Sequence, residues 1–389
     1  MSREINTAFI GIGSLNSKQH LPNAFHNALF HISAICDVNR DALDKYAGLY
    51  SPDMVTTDYK ELLKKPEIEL VVMALPPRFH APMSIEFLEA GKHVYVEKPL
   101  SEDIESSIKV AKTVKATRKK LAVGFNRRFA PSYLDAFEII KNDKGPIMIN
   151  YRMVDDERDR PPLHNGRPRL LDEACHVFDV FNWFARSEPV NIYATEFGRI
   201  GDNQVIVEYE NGVSAALVIS SHGAFHWPKE RMEIVGDNKV VAVEDFVELQ
   251  TGGVPGWTQK NYPGREFDGF SKGYAKAYEE LGLPFYRYMR RMMGDLLLDN
   301  KLIEKNPEKE KWGVVGEMFP DNIRIPVNYS CDKGWYNALD HFGRCILEDR
   351  GPCNSDAIDG VKATVMSIKA MESVKSRTVQ SIDKDIWKI

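Results

Sequence analysis

The stretch Val94–Leu100 reads Val-Tyr-Val-Glu-Lys-Pro-Leu and predicts a buried strand that ends in a charged pair. Its first three residues are β-branched or aromatic, as strands favour. Pro99 then fixes the backbone and biases Lys98 away from helical geometry. A charged pair at the end of a buried strand is costly unless something uses it, and ligands of open α/β sheets bind at that end. A surface ion pair at the start of a helix is the alternative interpretation.

A glycine-containing turn lies near the amino terminus, between an apolar stretch (7–12) and a helical stretch that begins near His20. Gly11 permits a tight turn, and Gly13 lets the backbone approach a pyrophosphate at the following helix N-terminus. Asn16 stands where the dinucleotide-binding fingerprint normally has its third glycine. A plain strand–turn–helix connection explains the same pattern, so this turn alone does not decide the fold.

Asp37 stands at the end of the second predicted strand, at about the expected distance after the glycines. A carboxylate there can accept both ribose hydroxyls of an adenosine, and it would repel a 2′-phosphate. The position therefore favours NAD over NADP. The alternative is a helix N-cap, because Asp41 and Asp44 follow closely in a helical pattern.

Residues 70–75 form a continuous apolar run that Pro76 and Pro77 end. Continuous hydrophobicity indicates burial on both faces, as in a parallel sheet. Strands and helices alternate up to about residue 127, which predicts an α/β fold with a Rossmann-type doubly wound parallel sheet in residues 1–127. The loops at the carboxyl ends of its strands, including His80, gather on one edge, where a dinucleotide would bind.

The composition is that of an ordinary globular protein, with 43% hydrophobic and 28% charged residues in a chain of 389, long enough for two domains. The net charge of -5 argues against a nucleic-acid-binding surface. The five cysteines are scattered and form no CxxC pair, so neither a disulfide framework nor a zinc ribbon is indicated. Since neither a signal peptide nor an apolar run of membrane length is evident, we expect a cytoplasmic protein without a membrane partner.

A polar pattern on an apolar helix stands out in the second predicted domain, residues 128–389. The predicted helix 170–180 carries Asp172, His176 and Asp179 at i, i+4 and i+7, which places the three on one face. Two carboxylates beside an imidazole raise its basicity and fix its orientation. A solvated Asp–His pair is the commoner use of this spacing, but the neighbouring residues are strongly apolar here.

A zinc site is a further alternative for the same helix. Cys175 and His176 could bind zinc together with His164. Neighbouring residues of a helix point to different faces, however, so shared ligation would be strained. We therefore predict no metal and interpret Cys175 as a small core residue.

The rest of the second domain reads as strands followed by an insertion. Residues 191–247 contain five strand-like segments joined by turns, which predicts an α+β domain with a mostly antiparallel open sheet. Residues 251–329 are expected to form an extended insertion, rich in Gly, Pro and aromatics, that could line a substrate pocket. An oligomer contact or a satellite core explains this insertion at least as well.

Together these motifs resemble the Gfo/Idh/MocA oxidoreductases, which include glucose–fructose oxidoreductase and inositol dehydrogenase. The resemblance rests on Gly11-Ile12-Gly13, Asp37, Leu75-Pro76-Pro77 with His80, Glu97-Lys98-Pro99, and Gly124-Phe125-Asn126-Arg127-Arg128-Phe129. It implies NAD as the cofactor and homo-oligomer contacts through the second sheet. The cofactor contacts that we expect are Gly11, Ile12, Gly13, Ser14, Leu15, Asp37, Leu75, Pro76, Pro77, His80, Glu97, Lys98 and Asn126.

The resemblance also implies a reaction, hydride transfer between nicotinamide and a secondary hydroxyl of a sugar, glycoside or cyclitol. His176 would be the general base, oriented by Asp172, and Lys98 would stabilise the same oxygen. Glu97 would hold Lys98 or meet the nicotinamide ribose, and whether Lys98 or His176 accepts the proton stays open. The alternatives are a permanently bound NAD that is recycled, by a second sugar or in glycoside cleavage, and an NAD-binding sensor without turnover. The expected substrate contacts are Lys98, Arg128, Arg152, Asp156, His164, Asp172, His176 and Asp179.

Overall fold

The first part of the chain folds around a six-stranded parallel sheet. The computed structural model describes residues 3–143, 145–155, 168–197, 201–224, 227–262, 284, 331–351 and 353–389. The strands of this sheet are β1 (Ile5–Ile10), β2 (Phe30–Cys36), β3 (Met54–Thr56), β4 (Leu70–Met73), β5 (His93–Val96) and β6 (Leu121–Val123). Their order, β3-β2-β1-β4-β5-β6, is that of a doubly wound sheet, as the sequence predicted.

Helices connect these strands, and polar side chains begin several of them. They are α1 (Leu21–Phe25), α2 (Arg40–Tyr50), α3 (Tyr59–Leu63), α4 (His80–Glu89) and α5 (Ile104–Thr117). The N-cap side chains are Asn39 for α2, Asp58 for α3 and Asp103 for α5, and each accepts a backbone N–H of the first turn. All four residues of β4 are buried, because helices cover both faces of the sheet.

The second part contains a nine-stranded sheet. Its strands are β7 (Met148–Val154), β8 (Pro189–Glu196), β9 (Asn203–Tyr209), β10 (Ser214–Ser220), β11 (Glu230–Gly236), β12 (Lys239–Glu244), β13 (Glu248–Gly252), β14 (Gln259–Asn261) and β15 (Gln380–Ser381). The order is β14-β13-β12-β11-β7-β10-β9-β8-β15, and among these pairs only β7 with β10 is parallel. The prediction of a mostly antiparallel sheet is therefore confirmed.

One face of this second sheet is covered by helices. Along β9 buried and exposed residues alternate strictly, as expected of a sheet with one packed face. Among the described residues the helices of this part are α6 (Pro131–Ile140), α7 (Arg169–Asp172), α8 (Ala174–Ala185), α9 (Trp335–Leu347) and α10 (Ala357–Ser376). Of these, α9 contacts α1 and β5 of the first part. Helix α10 contacts α5 of the first part as well as α8 and β8, so it packs back toward the first sheet.

Close packing joins α10 to the loop after β5. A Cβ at Gly360 of α10 would lie 2.7 Å from Leu100 Cδ2 and 3.0 Å from Val123 Cγ2. Only glycine therefore lets the helix approach so near, which brings the second part against the loop that follows Lys98.

Of the predicted insertion 251–329, the end of β13, β14 and the isolated position 284 lie within the described residues. The predictions of a pocket wall or an oligomer contact fall mostly on residues outside them. The oligomer contact through the second sheet stays a prediction. Among the described residues, no helix is both long and apolar enough to cross a membrane.

Candidate active site

The turn after β1 is held tight by a glycine that has no room for a side chain. Gly11 adopts a φ of 80°, and a Cβ there would lie 2.5 Å from the carbonyl oxygen of Ala74. At Gly13 nothing lies within 4 Å of the corresponding Cβ position. Gly13 and Ser14 are exposed and Leu15 is half-buried. The backbone of this turn is therefore open on one side, as a bound pyrophosphate requires.

Asn16 braces the same turn from inside. Its side-chain amide donates hydrogen bonds to the carbonyl oxygens of Ile10, at 2.9 Å, and Gly11, at 3.0 Å, and the residue is fully buried. Asn16 also begins a short π-helix, Asn16–His20, that leads into α1. The residue that replaces the third glycine thus satisfies two buried carbonyl groups. The fingerprint position alone did not indicate this use.

Asp37 follows β2 and faces the glycine turn. Its Oδ2 accepts the backbone N–H of Ile12 at 2.5 Å, and its Oδ1 accepts that of Asn39 at 2.8 Å. The N-cap of α2 is Asn39, so the N-cap interpretation of Asp37 is wrong. A half-buried carboxylate beside the open turn fits an adenosine ribose, whose hydroxyl groups it could accept.

The loop after β4 presents only some of the predicted cofactor contacts. Leu75 is half-buried and Pro76 is exposed, whereas Pro77 and His80 are buried. The ring nitrogens of His80 lie 2.7 Å from the carbonyl oxygen of Pro99 and 2.8 Å from that of Leu75. We therefore interpret His80 as joining two loops at the sheet edge rather than as a cofactor contact.

Glu97 lies beneath the sheet edge rather than at its surface. Its Oε1 lies 2.8 Å from Nε2 of the buried His20, and its Oε2 accepts the backbone N–H of Lys98 at 3.2 Å. Gly124 makes room for it, since a Cβ there would lie 2.6 Å from the carboxylate. Glu97 therefore holds Lys98 through its backbone rather than through its ammonium group, and connects it to the π-helix after the glycine turn.

The ammonium group of Lys98 points across to the second part of the chain. Its Nζ donates to the backbone carbonyl of Asp172 at 2.8 Å and to Oε1 of Glu173 at 3.1 Å, and it lies 3.8 Å from Oδ1 of Asp172. Burial alone would lower the pKa of Lys98, but Glu173 and then Asp172 outweigh it and raise that pKa. Lys98 is therefore a cation that can donate a hydrogen bond and is poorly suited to accept a proton.

The helix that was predicted over 170–180 is interrupted at Glu173. Helix α7 ends at Asp172 and α8 begins at Ala174. In a continuous helix the Asp172 carbonyl would accept the N–H of His176. Instead that carbonyl accepts Lys98 Nζ, and the His176 N–H donates to the Glu173 carbonyl at 3.2 Å. The expectation of one continuous helix is therefore wrong, because a distant lysine takes the helical acceptor.

His176 stands in the first turn of α8 with little exposure, 6%. Its ring meets Phe125 edge-on at a centroid distance of 6.1 Å, and its Nδ1 has no hydrogen-bond partner among the described residues. Burial, followed by the positive charges of Arg127 and Lys98, holds the pKa of His176 well below its usual range. The imidazole is therefore neutral near pH 7 and a weaker base than an exposed histidine, the reverse of the raised basicity expected from its flanking carboxylates.

Comparisons with known proteins agree with this geometry. A model of the Gfo/Idh/MocA oxidoreductase family, described as an NAD-binding Rossmann fold, matches residues 5–125. An inositol 2-dehydrogenase of Rhizobium meliloti is 28% identical over 291 residues, covering 70% of this chain and 85% of that protein. An uncharacterized oxidoreductase of Bacillus subtilis, YrbE, is 28% identical over 304 residues, covering 73% and 86%. Residues 5–125 of the chain are therefore similar to the NAD-binding Rossmann domain of the Gfo/Idh/MocA oxidoreductases.

The fold of this chain is shared with solved structures. The apo scyllo-inositol dehydrogenase from Lactobacillus casei superposes with a TM-score of 0.71 at 19% identity, covering 97% of this chain and 98% of that one. An NAD-binding oxidoreductase from Klebsiella pneumoniae gives 0.72 at 17% identity, covering 98% and 100%. The predictions of the family, of the two-sheet α/β fold and of an NAD-binding oxidoreductase are confirmed.

Two of the predicted substrate contacts form an internal ion pair. Arg128 Nε donates to Asp179 Oδ2 at 2.9 Å, Nη2 donates to Asp179 Oδ1, and Nη1 donates to Asp359 Oδ2 at 3.2 Å. Asp179 is 0% exposed. A carboxylate enclosed in this way cannot meet a substrate, so we interpret Arg128 and Asp179 as structural.

The remaining predicted contacts are scattered. The Asn126 amide donates to the Lys333 carbonyl at 2.7 Å and is buried, so it braces the loop before α9. Arg152 donates to the Pro228 carbonyl at 2.8 Å and to Glu244 at 3.1 Å. Neither arrangement supports the cofactor or substrate contact that was predicted. Asp156 and His164 lie outside the described residues.

Two charged groups near His176 were missed at the sequence level. Arg127 makes a bidentate ion pair with Glu230, at 2.7 and 2.9 Å, and Tyr151 donates to the same carboxylate at 2.7 Å. Glu173, beside Lys98, is the other. Nothing in the sequence sets Arg127 apart. Glu173 could have been noticed, because it is a second acidic residue directly after Asp172 in an apolar segment.

Proposed function

We propose that this chain is an NAD-dependent dehydrogenase that oxidises a secondary hydroxyl of a cyclitol, sugar or glycoside. The observation that carries the proposal is a contact at the ligand-binding edge of the parallel sheet, where Lys98 Nζ donates to the Asp172 carbonyl at 2.8 Å. This contact brings Lys98 to the junction before α8, whose first turn contains His176. The substrate class is supported by the inositol 2-dehydrogenase of Rhizobium meliloti and the scyllo-inositol 2-dehydrogenase of Bacillus subtilis among its relatives.

The residues around the glycine turn fit NAD. The open side of Gly13 leaves room for a pyrophosphate, and the Asp37 carboxylate stands where ribose hydroxyls would need an acceptor. The same carboxylate would repel a 2′-phosphate, so the proposal is NAD rather than NADP. When bound, NAD supplies the hydride acceptor at C4 of its nicotinamide ring.

The protonation states divide the work between the two site residues. His176 takes the hydroxyl proton at Nδ1, which is buried and has no hydrogen-bond partner among the described residues. Lys98 donates a hydrogen bond to the same oxygen and stabilises the negative charge that develops there. Asp172 acts on Lys98 in this scheme, through its carbonyl and its Oδ1, rather than as the partner that orients His176.

The test is NADH formation from NAD against a panel of inositols, free hexoses and glycosides, with the cofactor content of the pure protein measured first. We expect turnover with at least one polyol, and a far lower rate with NADP. His176→Gln should lower kcat by roughly 10²–10⁴-fold, the usual contribution of a general base, while NAD still binds. Near-normal turnover in this variant would remove His176 from the mechanism.

The same panel separates the alternatives. Protein purified with NAD(H) already attached, inactive toward added NAD but active when a second sugar is supplied as oxidant, would favour an internally recycled cofactor. NAD binding without turnover of any panel member or sugar pair would favour a sensor.

A further inference from the structure

Glu173 occupies the junction between α7 and α8 and lies between two lysines. Its Oε1 accepts Lys98 Nζ at 3.1 Å, and its Oε2 lies 3.6 Å from Lys229 Nζ. The side chain is 15% exposed. Although burial disfavours the charged form, Lys98 and then Lys229 hold the pKa of Glu173 well below its usual range. A carboxylate in this position is ionised and is shared by both lysines.

The contacts continue from Glu173 into the second sheet. Lys229, just before β11, also binds Asp155 Oδ2 at 2.9 Å, and Arg169 of α7 binds the same oxygen at 3.0 Å. Asp155 directly follows β7, where its backbone N–H and carbonyl are bonded to Ser220 and Gly223. Alternating charges therefore connect Lys98, at the edge of the first sheet, to the frame of the second.

Two hydrogen bonds of the Lys98 ammonium group determine the direction of its third N–H. An ammonium group has three N–H donors in a tetrahedral arrangement. The Asp172 carbonyl and the Glu173 carboxylate accept two of them, at 2.8 and 3.1 Å. Because these two acceptors are on adjacent residues at a helix junction, they fix where the third N–H points.

We propose that Glu173 is a positioning residue for Lys98: with the Asp172 carbonyl it directs the remaining N–H toward the substrate hydroxyl, and through Lys229 it anchors the lysine to the second sheet. The inference rests on the proposed dehydrogenase function and deepens it, since it names Glu173 as the residue that orients Lys98. Glu173 touches neither cofactor nor substrate in this scheme.

The charge of Glu173 acts on both residues of the proposed mechanism. Glu173 and Asp172 raise the pKa of Lys98. Toward His176, Glu173 and Glu230 oppose the lowering of its pKa by burial, Arg127 and Lys98. Removing the Glu173 charge should therefore lower the pKa of both groups. His176 must be neutral for turnover, so the acid limb of the pH profile should move to lower pH.

The first experiment compares the pH dependence of kcat/KM in the wild type and in Glu173→Gln, which keeps the size of the side chain. We expect kcat to fall roughly tenfold to a hundredfold, in the range of one lost charged hydrogen bond, with a smaller change in KM. Glu173→Asp should recover part of the loss and the wild-type acid limb. The matched control is Glu188→Gln, which removes a carboxylate from Lys362 of α10, at 2.8 Å, and leaves the contacts of Lys98 unchanged. An acid limb that does not move in Glu173→Gln would overturn the proposal.

A second experiment does not depend on turnover. Acetic anhydride reacts with the unprotonated amine, so the acetylation rate of Lys98 at fixed pH, followed by peptide mass spectrometry, reports its free-amine fraction. We expect at least a several-fold faster reaction in Glu173→Gln, with the surface Lys141 as internal reference. An unchanged Lys98 rate would overturn the role of Glu173. A faster rate in a protein that oxidises no polyol would support that role and count against the proposed dehydrogenase.

Discussion

Two buried charge clusters in this molecule are built from similar residues and serve different ends. In the first, Arg128 is clamped by Asp179 and Asp359, with bonds from three of its nitrogens. In the second, Lys98 is held by Asp172 and Glu173, and a neutral imidazole stands nearby. From the sequence, Arg128 and Asp179 were expected only to contact the substrate, whereas Lys98, Asp172 and His176 were expected to take part in the reaction as well.

The difference lies in what each cluster leaves open. Both oxygens of Asp179 are taken by Arg128, and its exposure is 0%. The Lys98 side chain keeps 15% exposure and one N–H beyond its two described acceptors, and His176 keeps a ring nitrogen without a described partner. A closed ion pair holds the fold together, whereas a cluster with a spare donor and a spare acceptor can act on a ligand.

The largest expected effect is on stability, at the closed cluster. Arg128→Met should leave Asp179 buried without its ion-pair partner, which in other proteins costs about 3–5 kcal/mol of unfolding free energy. Urea unfolding followed by circular dichroism measures this loss. Turnover per folded molecule should stay near that of the wild type.

The double variant Arg128→Met/Asp179→Leu is the control for that prediction. Replacing both charges by apolar side chains should restore much of the lost stability, since no charge is then left buried alone. If Arg128→Met instead loses turnover while its unfolding free energy is unchanged, the interpretation of this pair as structural is wrong. Arg128 would then be a substrate contact, as the sequence predicted.

At the open cluster the expected effect is on catalysis. Lys98→Met should lower kcat by roughly 10²–10³-fold, the usual contribution of one donor to a developing oxyanion. NAD binding, measured by calorimetry, should change little, because the glycine turn and Asp37 are untouched. Stability should fall less than in Arg128→Met, since Lys229 remains as a partner for Glu173. Loss of NAD binding with unchanged chemistry would assign Lys98 to the cofactor instead.

The elements that sequence reasoning predicted well depend on local pattern. The continuous apolar run of β4 indicated a buried parallel strand, and the apolar stretch before Glu97 indicated the buried strand β5. Lys98 was placed correctly at a strand end because Pro99 and the preceding β-branched residues constrain it locally.

What could not be predicted depends on contacts between distant residues. The break at Glu173 arises because Lys98, 74 positions away, takes the Asp172 carbonyl from the helix. Periodicity places Asp172, His176 and Asp179 on one face only if the helix is continuous. Likewise Arg128 and Asp179 are 51 positions apart, and nothing local shows that they pair.

The smallest expected effect is at a third carboxylate, Asp37. It is neither enclosed in an ion pair like Asp179 nor assigned a role in the hydride-transfer reaction. Asp37 keeps the Ile12 amide at 2.5 Å but stays half-buried beside the open turn. Asp37→Ala should raise the Kd for NAD roughly tenfold, in keeping with the loss of charged hydrogen bonds to a ribose, and leave kcat at saturating NAD nearly unchanged. Its preference for NAD over NADP should shrink, because the repulsion of a 2′-phosphate is gone.

Fluorescence titration with both dinucleotides measures this change in preference. The matched control is Asp41→Ala, which removes a surface carboxylate in the first turn of α2. An unchanged ratio of the two Kd values would mean that Asp37 only braces the Ile12 amide, which would make it a structural group like Asp179 rather than part of the open site.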